Sequence, residues 1–151
     1  MFNKETEYAF RGLVYVFTQN RRGSRPGVIE IAQGIEAPQF YTGKIMQRLV
    51  RQGFLNSIKG KNGGFYLDAE MPDRSLRDIV LALEGESAFH ACLFGLKNCN
   101  ANEPCPLHHR YAKIKEDLNE LVTVETIRSL TEKMLKEEDR EFGINNLKQQ
   151  E

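Results

Sequence analysis

The feature that most constrains this chain is the spacing of its three cysteines, Cys92-x6-Cys99-x5-Cys105, with His108 following after two more residues. The chain has no other cysteine. Glycine, asparagine and proline lie between the thiols, and these residues favour turns rather than regular structure. Thiolates are soft ligands for zinc, copper(I) and iron–sulfur clusters, and imidazole is a common additional donor. The spacing therefore indicates a metal or redox site rather than incidental cysteines.

The ends and the composition of the chain favour a cytoplasmic protein. Charged residues near the N-terminus, among them Lys4 and Glu5, do not resemble a secretory signal. No apolar run approaches the length of a membrane span, so we expect no membrane association. Three cysteines in such a chain point to a reducing compartment rather than to a disulfide framework.

The net charge of zero conceals an uneven distribution of charge. Residues 1–70 contain ten Lys/Arg and six Asp/Glu, a balance of +4, whereas residues 71–151 contain eleven and fifteen, a balance of −4. Between residues 37 and 67 there are five basic residues and no acidic one. A basic stripe on one half of a neutral protein indicates binding to a polyanion.

The hydrophobic periodicity predicts a winged helix-turn-helix over residues 1–83. We expect helices at residues 4–18, 28–34 and 38–52, with Phe40, Tyr41, Ile45, Leu49 and Val50 forming the apolar face of the third. Strand candidates at residues 54–58 and 65–67 flank a glycine-rich hairpin tip at residues 59–64, which is typical of a wing. The predicted fold class is mostly α with a small β-hairpin.

The second half of the chain is predicted to carry the sensor and the dimer contacts. Ser75 is expected to cap a helix that ends near Leu83, and residues 84–106 form a loop with the thiols. Residues 107–139 are assigned to dimerisation helices, because Tyr111, Ile114, Leu118 and Leu121 recur at coiled-coil spacing. Residues 140–151 are expected to be a disordered tail.

The helix at residues 38–52 is the second of the helix-turn-helix, has a basic outer face and is followed by a wing. This arrangement predicts binding to double-stranded DNA, with two half-sites in a pseudo-palindromic operator. Thr42, Gln47 and Arg48 are the candidates for base edges. The candidates for phosphates or the minor groove are Tyr41, Lys44, Lys59, Lys61 and Asn62. Gln39 and Gly63 complete the set of predicted DNA-binding residues.

The ordered set of motifs resembles the Rrf family of bacterial winged-helix transcriptional regulators, which contains the iron–sulfur sensors IscR and NsrR. The likeness covers about residues 3–130. Besides the spaced cysteines, the matching segments are Glu7-Tyr8-Ala9-Phe10-Arg11, Ile31-Ala32, residues 40–49, Gly53-Phe54 and residues 59–65.

The resemblance implies a homodimeric regulator whose loop holds an iron–sulfur cluster and senses iron–sulfur, redox or nitric oxide status. It assigns Cys92, Cys99 and Cys105 as ligands, and His108 occupies the position of the fourth ligand in IscR-like members. Glu7 of the partner or His109 is the alternative fourth ligand, and a [2Fe-2S] cluster is favoured over [4Fe-4S]. The chain departs from the family in its six-residue first gap, in Lys59 where arginine is frequent, and in Gly43 where a larger residue is usual.

Other interpretations of the thiols stay open. The loop suits a structural zinc site with three cysteines and one histidine, or a metal-free thiol–disulfide switch. A small electron carrier would account for the cysteines but leaves the basic stripe and the wing without a role. The sequence contains no Ser-His-acid order, phosphate loop or paired-carboxylate signature, so we do not expect an enzyme.

Overall fold

The computed structural model describes residues 1–137, and the predicted tail at 140–151 lies outside them. The predicted fold class is confirmed, since the described chain is mostly helical with one two-stranded antiparallel hairpin. In chain order the elements are α1 (Lys4–Arg21), α2 (Val28–Gly34), α3 (Gln39–Arg51), β1 (Asn56–Ile58), β2 (Gly64–Tyr66), α4 (Leu76–Leu83), α5 (Ser87–His90), α6 (His108–Val124) and α7 (Ile127–Lys136).

Helix α1 is the central element of the core. The Asn3 side chain accepts a hydrogen bond from the backbone N–H of Thr6, which satisfies one of the free donors at the helix start. Ala9, Leu13 and Val16 recur at helical spacing on its buried face. Helices α3, α4 and α7 and strand β2 all pack against α1, so one helix fixes the positions of both the helix-turn-helix and the C-terminal half.

The predicted helix-turn-helix is present, with α2 at the predicted residues and α3 one residue shorter at each end than the predicted 38–52. Pro38 is the N-cap of α3 rather than part of its first turn. The pair packs closely on α1 at two glycines: a side chain at Gly12 would meet Met46, and one at Gly34 would meet the ring of Tyr15. Close packing at these two points fixes the orientation of α2 and α3 relative to α1.

The wing is a short hairpin in which Ser57 pairs with Phe65. Its strands are three residues each, and β2 begins one residue before the predicted position. The hairpin is anchored to the α1–α2 loop, because the N–H of Phe65 donates to the carbonyl of Pro26 and the Asn20 amide bonds the backbone of Phe65 and Leu67. The wing is therefore held against the body of the domain.

Helix α4 begins as expected, with a complete capping box between Ser75 and Asp78. Helix α7, which lies beyond the predicted domain boundary at residue 83, folds back and places Ile127 and Met134 in the same core as α1. An isolated bridge between Ser75 and Thr126 ties the starts of the two helices together. The apolar face of α7 is thus used inside the winged-helix domain rather than left free for a dimer seam.

The predicted loop at residues 84–106 is not entirely irregular, since it contains the short helix α5. Phe89 of α5 is buried with Val80 and Val122 in a second cluster between α4 and α6. Helix α6 buries the side that carries Val122 against this cluster, whereas Ile114, Leu121 and Val124 of the same helix are more than half exposed. Part of the predicted seam is therefore an unpartnered apolar stripe on α6 in the single chain.

The Gly64→Ala substitution tests how the wing is anchored. Gly64 has a φ of +147°, and an added Cβ would lie 2.1 Å from the carbonyl oxygen of Arg25. Because both the conformation and the close approach disfavour a side chain, we expect a loss of about 1–3 kcal/mol in the free energy of unfolding, measured by urea denaturation. The matched control is Gly43→Ala, whose Cβ would make an ordinary 3.5 Å contact with Val28 in a helix and should not destabilise the fold. Equal stability of the two variants would contradict this description of the wing.

Candidate metal centre and nucleic-acid interface

The three thiols meet at one point of the fold. The sulfur atoms of Cys92, Cys99 and Cys105 all lie within 4.8 Å of one another, although the first and the last cysteine are 13 positions apart in the sequence. Cys105 is buried, and the other two cysteines are half-buried. No other cluster of this kind occurs among residues 1–137. The spacing in the sequence thus becomes a compact set of soft donors.

The donors fall into two close pairs. Cys92 Sγ and Cys105 Sγ are 3.8 Å apart, and Cys99 Sγ is 3.2 Å from His108 Nδ1. Two thiolates bound to one tetrahedral metal at a metal–sulfur distance of about 2.3 Å are about 3.8 Å apart. The spacing of Cys92 and Cys105 therefore fits two ligands of one tetrahedral ion, and the whole set supplies thiolate and imidazole donors of the kind that an iron–sulfur cluster also accepts.

Turns between the cysteines bring them together. Gly95 lies at a φ of +70° and donates its N–H to the carbonyl of Cys92, which closes a tight turn after the first thiol. The side chain of Asn100 accepts hydrogen bonds from the N–H groups of Asn102 and Glu103, which reverses the chain between the second and third thiols. The turn-forming residues of the sequence thus fold the loop back onto itself.

The base of the loop is fixed to the helices on either side. Arg77 of α4 donates to Asn119 of α6 and to the Glu86 carboxylate next to α5, and its guanidinium lies over the ring of Phe89. Lys115 of α6 donates to the backbone carbonyls of His90 and Ala91 at the end of α5. These contacts hold α6, and with it His108, at a fixed distance from the Cys92 end of the loop.

The protein environment makes the thiols chemically different. Hydrogen bonds from the backbone N–H groups of Leu96 and Phe94 lower the pKa of Cys92 to about 7, with support from the neighbouring thiols. The N–H of Cys105 acts to lower the pKa of Cys99, but partial burial and the two neighbouring thiols outweigh it, so the pKa of Cys99 is raised. Of Cys92 and Cys99, Cys92 is therefore the thiol that ionises more readily.

The alternative fourth ligands lie elsewhere in the single chain. The ring of His109 is exposed and packs edge-on against His108, with 5.2 Å between ring centroids. Glu7 forms an ion pair with Lys4 on α1, and the hydrogen bond from Lys4 lowers the pKa of the carboxyl. Of the three candidates, His108 is the one that contacts a thiol.

The exposed face of α3 carries most of the predicted DNA contacts. Gln39, Tyr41, Lys44 and Gln47 are exposed there. Tyr41 also packs edge-on against Tyr8 of α1, with ring centroids 5.8 Å apart. At the tip of the wing, Lys59, Lys61 and Asn62 are likewise exposed.

Three of the predicted DNA contacts are engaged inside the protein. Thr42 is fully buried, and its hydroxyl donates to the carbonyl of Pro38 one turn earlier. Arg48 pairs with Glu5 at 2.7 Å and donates to the carbonyls of Ala82 and Leu83. The expectation that Thr42 and Arg48 are presented to bases is therefore wrong for this conformation.

The third engaged residue is Gly63 of the wing. It is half-buried, and its N–H donates to the carbonyl of Gly60 at 3.0 Å. A side chain there would lie 2.1 Å from the carbonyl oxygen of Ile58. Gly63 thus closes the hairpin turn instead of offering its N–H to the sugar–phosphate backbone.

The orientation of α3 also corrects the predicted apolar face. Phe40 was expected in the core but is 77% exposed. The buried residues Thr42, Ile45, Met46 and Leu49 follow the i, i+3, i+4, i+7 pattern of one helix face. That spacing is the signal in the sequence that would have placed Phe40 outside. Phe40 and Arg51 therefore belong to the exposed face of α3, together with Lys44 and Gln47.

The comparison with known families decides which kind of protein carries this arrangement. The family model described as "Rrf2: Iron-dependent Transcriptional regulator" matches residues 2–133. The chain belongs to the Rrf2 family. Members of Rrf2 are described as transcriptional regulators.

Individual members of Rrf2 resemble the chain over most of its length. The HTH-type transcriptional regulator NsrR of Bacillus subtilis is 26% identical over 105 residues, which span 69% of this chain and 71% of NsrR. The structure of IscR from T. potens aligns with a TM-score of 0.66 at 20% identity and covers 94% of this chain and 92% of that one. The structure of CymR, the global cysteine regulator of B. subtilis, aligns with a TM-score of 0.67 at 19% identity over 87% of this chain and 96% of CymR.

The structural likeness confirms the winged-helix fold that the sequence predicts. Within residues 1–137, no helix combines the length and the apolar character that crossing a bilayer requires.

The Arg48→Ala substitution tests the internal role of Arg48 in this Rrf2 protein. It removes a half-buried ion pair and the side-chain donor to the carbonyl of Leu83, whereas the carbonyl of Ala82 keeps its hydrogen bond from Gln52. We expect a loss of about 2 kcal/mol in the free energy of unfolding, measured by chemical denaturation. Arg51→Ala on the exposed side of the same helix is the control, with an expected change of at most about 0.5 kcal/mol. If Arg48→Ala were as stable as the control, the internal role would be excluded.

Proposed function

We propose that this protein is a homodimeric DNA-binding transcriptional regulator whose cysteine loop binds an iron–sulfur cluster and senses iron–sulfur, redox or nitric oxide status in the cytoplasm. The observation that carries the proposal is the convergence of three thiols and His108 on a loop that joins two helices of a winged-helix domain. A purely structural metal site does not need accessible thiols, whereas a sensor requires access to its signal, and Cys92 and Cys99 are only half-buried.

DNA binding is supported by the exposed cations of α3 and the wing. Lys44, Lys59 and Lys61 are exposed, and residues 37–67 contain no acidic residue. Gln47, exposed on the same face of α3, is suited to reading adenine in the major groove. The wing tip is placed to contact phosphates or the minor groove beside it.

An iron–sulfur cluster is supported by the donor set. Cys92, Cys99, Cys105 and His108 would supply its four protein ligands, and histidine is known to replace cysteine as a ligand in [2Fe-2S] centres, which is the reason to prefer this type. When bound, such a cluster supplies an oxidisable iron centre at the protein surface. The family description as iron-dependent agrees with a resident iron group.

Contacts of the end of α4 with α3 and α1 support coupling of the two sites. Arg48 of α3 binds the last carbonyls of α4, directly before the loop, and pairs with Glu5 of α1. Glu84, the first loop residue, accepts hydrogen bonds from Thr6 and from the N–H of Asn3. A change in loop conformation that moves residues 82–84 would therefore act on the position of α3.

Dimerisation is supported by the apolar stripe on α6. Ile114, Leu121 and Val124 are more than half exposed, and such a stripe on a 17-residue helix suits a self-complementary contact. Pairing of α6 with its copy would place two winged-helix domains on one duplex, as a pseudo-palindromic operator requires.

A second candidate is a metal-free disulfide switch. The Cys92 and Cys105 sulfurs are 3.8 Å apart and need to approach by about 1.8 Å to bond. A peroxide would oxidise one thiolate to a sulfenic acid, and the second thiol would then displace water to form the disulfide. A chain that contains neither iron nor zinc after anaerobic purification, and changes its DNA affinity on forming this disulfide, would favour the switch.

Cluster loading is tested by anaerobic purification of wild-type protein and of Cys99→Ala. We expect about two irons and two sulfides per wild-type chain, with visible absorbance, and less than a tenth of this in the variant, because Cys99 is one of the paired donors. The matched control is Lys97→Ala in the same loop, which should load like the wild type. Iron and sulfide analysis together with absorbance spectroscopy gives the answer. Zinc without sulfide in the wild type would instead establish the structural zinc site.

A further inference from the structure

Phe40 is a large aromatic side chain that the core does not use. It lies in the first turn of α3 and is 77% exposed, whereas the core takes Ile45, Met46 and Leu49 from the same helix. Recognition helices contact base edges mainly through the residues of their N-terminal part. Phe40 is therefore an apolar group at the place where base contacts are made.

The surface beside Phe40 is hollow. A groove of about 940 Å³ runs along α3, and Phe40, Gly43, Gln47 and Val28 are among the residues that line it. Gly43 lies one turn after Phe40 and has no side chain, so the backbone of α3 forms part of the floor. Val28 of α2 closes one side, 3.5 Å from the position that a Gly43 Cβ would take. The result is an apolar recess between two helices of the DNA-binding motif.

The charges around the recess identify what it faces. The Lys44 ammonium lies 4.5 Å from the centroid of the Phe40 ring, and Arg51 lines the same groove. Glu5 also lines the groove, but its carboxylate is paired with Arg48. An apolar recess with cations at its edges suits a polyanion that presents small apolar groups. In the major groove of DNA, the apolar group is the C5-methyl of thymine.

We propose that Phe40, Val28 and the bare backbone at Gly43 form a recess that receives a thymine methyl group in each half-site and makes Phe40 a specificity-determining residue. The inference rests on the proposed binding of α3 in the major groove and adds a base preference to it. Burying one methyl group against apolar side chains corresponds to about a fourfold gain in affinity.

The test uses full-length protein and a duplex selected from random sequences by the wild type. Each thymine of the duplex is replaced in turn by deoxyuridine, which keeps the base pair and removes only the methyl group. For the wild type, we expect about a fourfold loss of affinity at one or more thymines in each half-site. For Phe40→Ala, the thymine and uracil duplexes should bind equally within a factor of two. Because Phe40 is exposed, the substitution leaves the core intact.

Two further variants sharpen the result. Gly43→Ala puts a methyl group into the recess without a steric clash, so it should also reduce the preference for thymine over uracil. Lys59→Ala on the wing should lower the affinity for both duplexes by the same factor and retain the preference.

The inference is overturned if wild-type protein binds every uracil duplex as tightly as the thymine duplex, as it would if Phe40 served a protein partner instead. It is equally overturned if Phe40→Ala keeps the full preference. Failure of the wild type to select any duplex would overturn the proposed function as well, and this outcome is distinct from binding without a thymine preference.

Discussion

The site depends on the packing of α4, α5 and α6 around Phe89, because this packing sets the distance between the two ends of the cysteine loop. Arg77 crosses from α4 to α6 and also binds Glu86 beside α5. A loop of this length has many conformations, and closing it costs conformational entropy. Fixed ends reduce that cost, so the turns at Gly95 and Asn100 are sufficient to bring the three sulfurs within 4.8 Å of one another.

Hydrogen bonds at the end of α4 connect the loop to α1 and α3. Residues 82–84 end α4 and begin the loop, and they are bound from the other side by Arg48 and Thr6. These contacts combine hydrogen bonds with a partly shielded charge pair, which is worth more than an exposed ion pair. Arg48 therefore connects α3 to the end of α4, where the proposed sensor loop begins, and is not positioned to contact a base.

Much of the fold is predictable from local sequence signals. The cap at Ser75, the glycine-rich wing tip and the limits of α2 depend on neighbours in the chain, and the structure has them where the sequence indicates. The grouping of the three thiols is also predictable from the sequence, because their spacing and the turn residues between them are local features. Short helix α5 was missed since its four residues carry no periodic signal.

The errors at Phe40 and Thr42 have one physical cause. Hydrophobicity alone places Phe40 in the core and Thr42 outside, but a helix can bury only one face, and Thr42 satisfies its hydroxyl by bonding to Pro38. The engagement of Arg48 was not predictable in the same way, because Glu5 and the carbonyls at the end of α4 are far from it in sequence. Likewise, the return of α7 to the α1 core depends on long-range packing that no local pattern specifies.

The most direct test of this account is the operator affinity of one anaerobic preparation, measured before and after removal of its cluster by a chelator. If the loop acts on α3 through residues 82–84, the dissociation constant should change by at least about tenfold, and Arg48→Lys should reduce that change. An equal affinity in the two states of the wild-type protein would contradict the claim that the cysteine loop controls DNA binding.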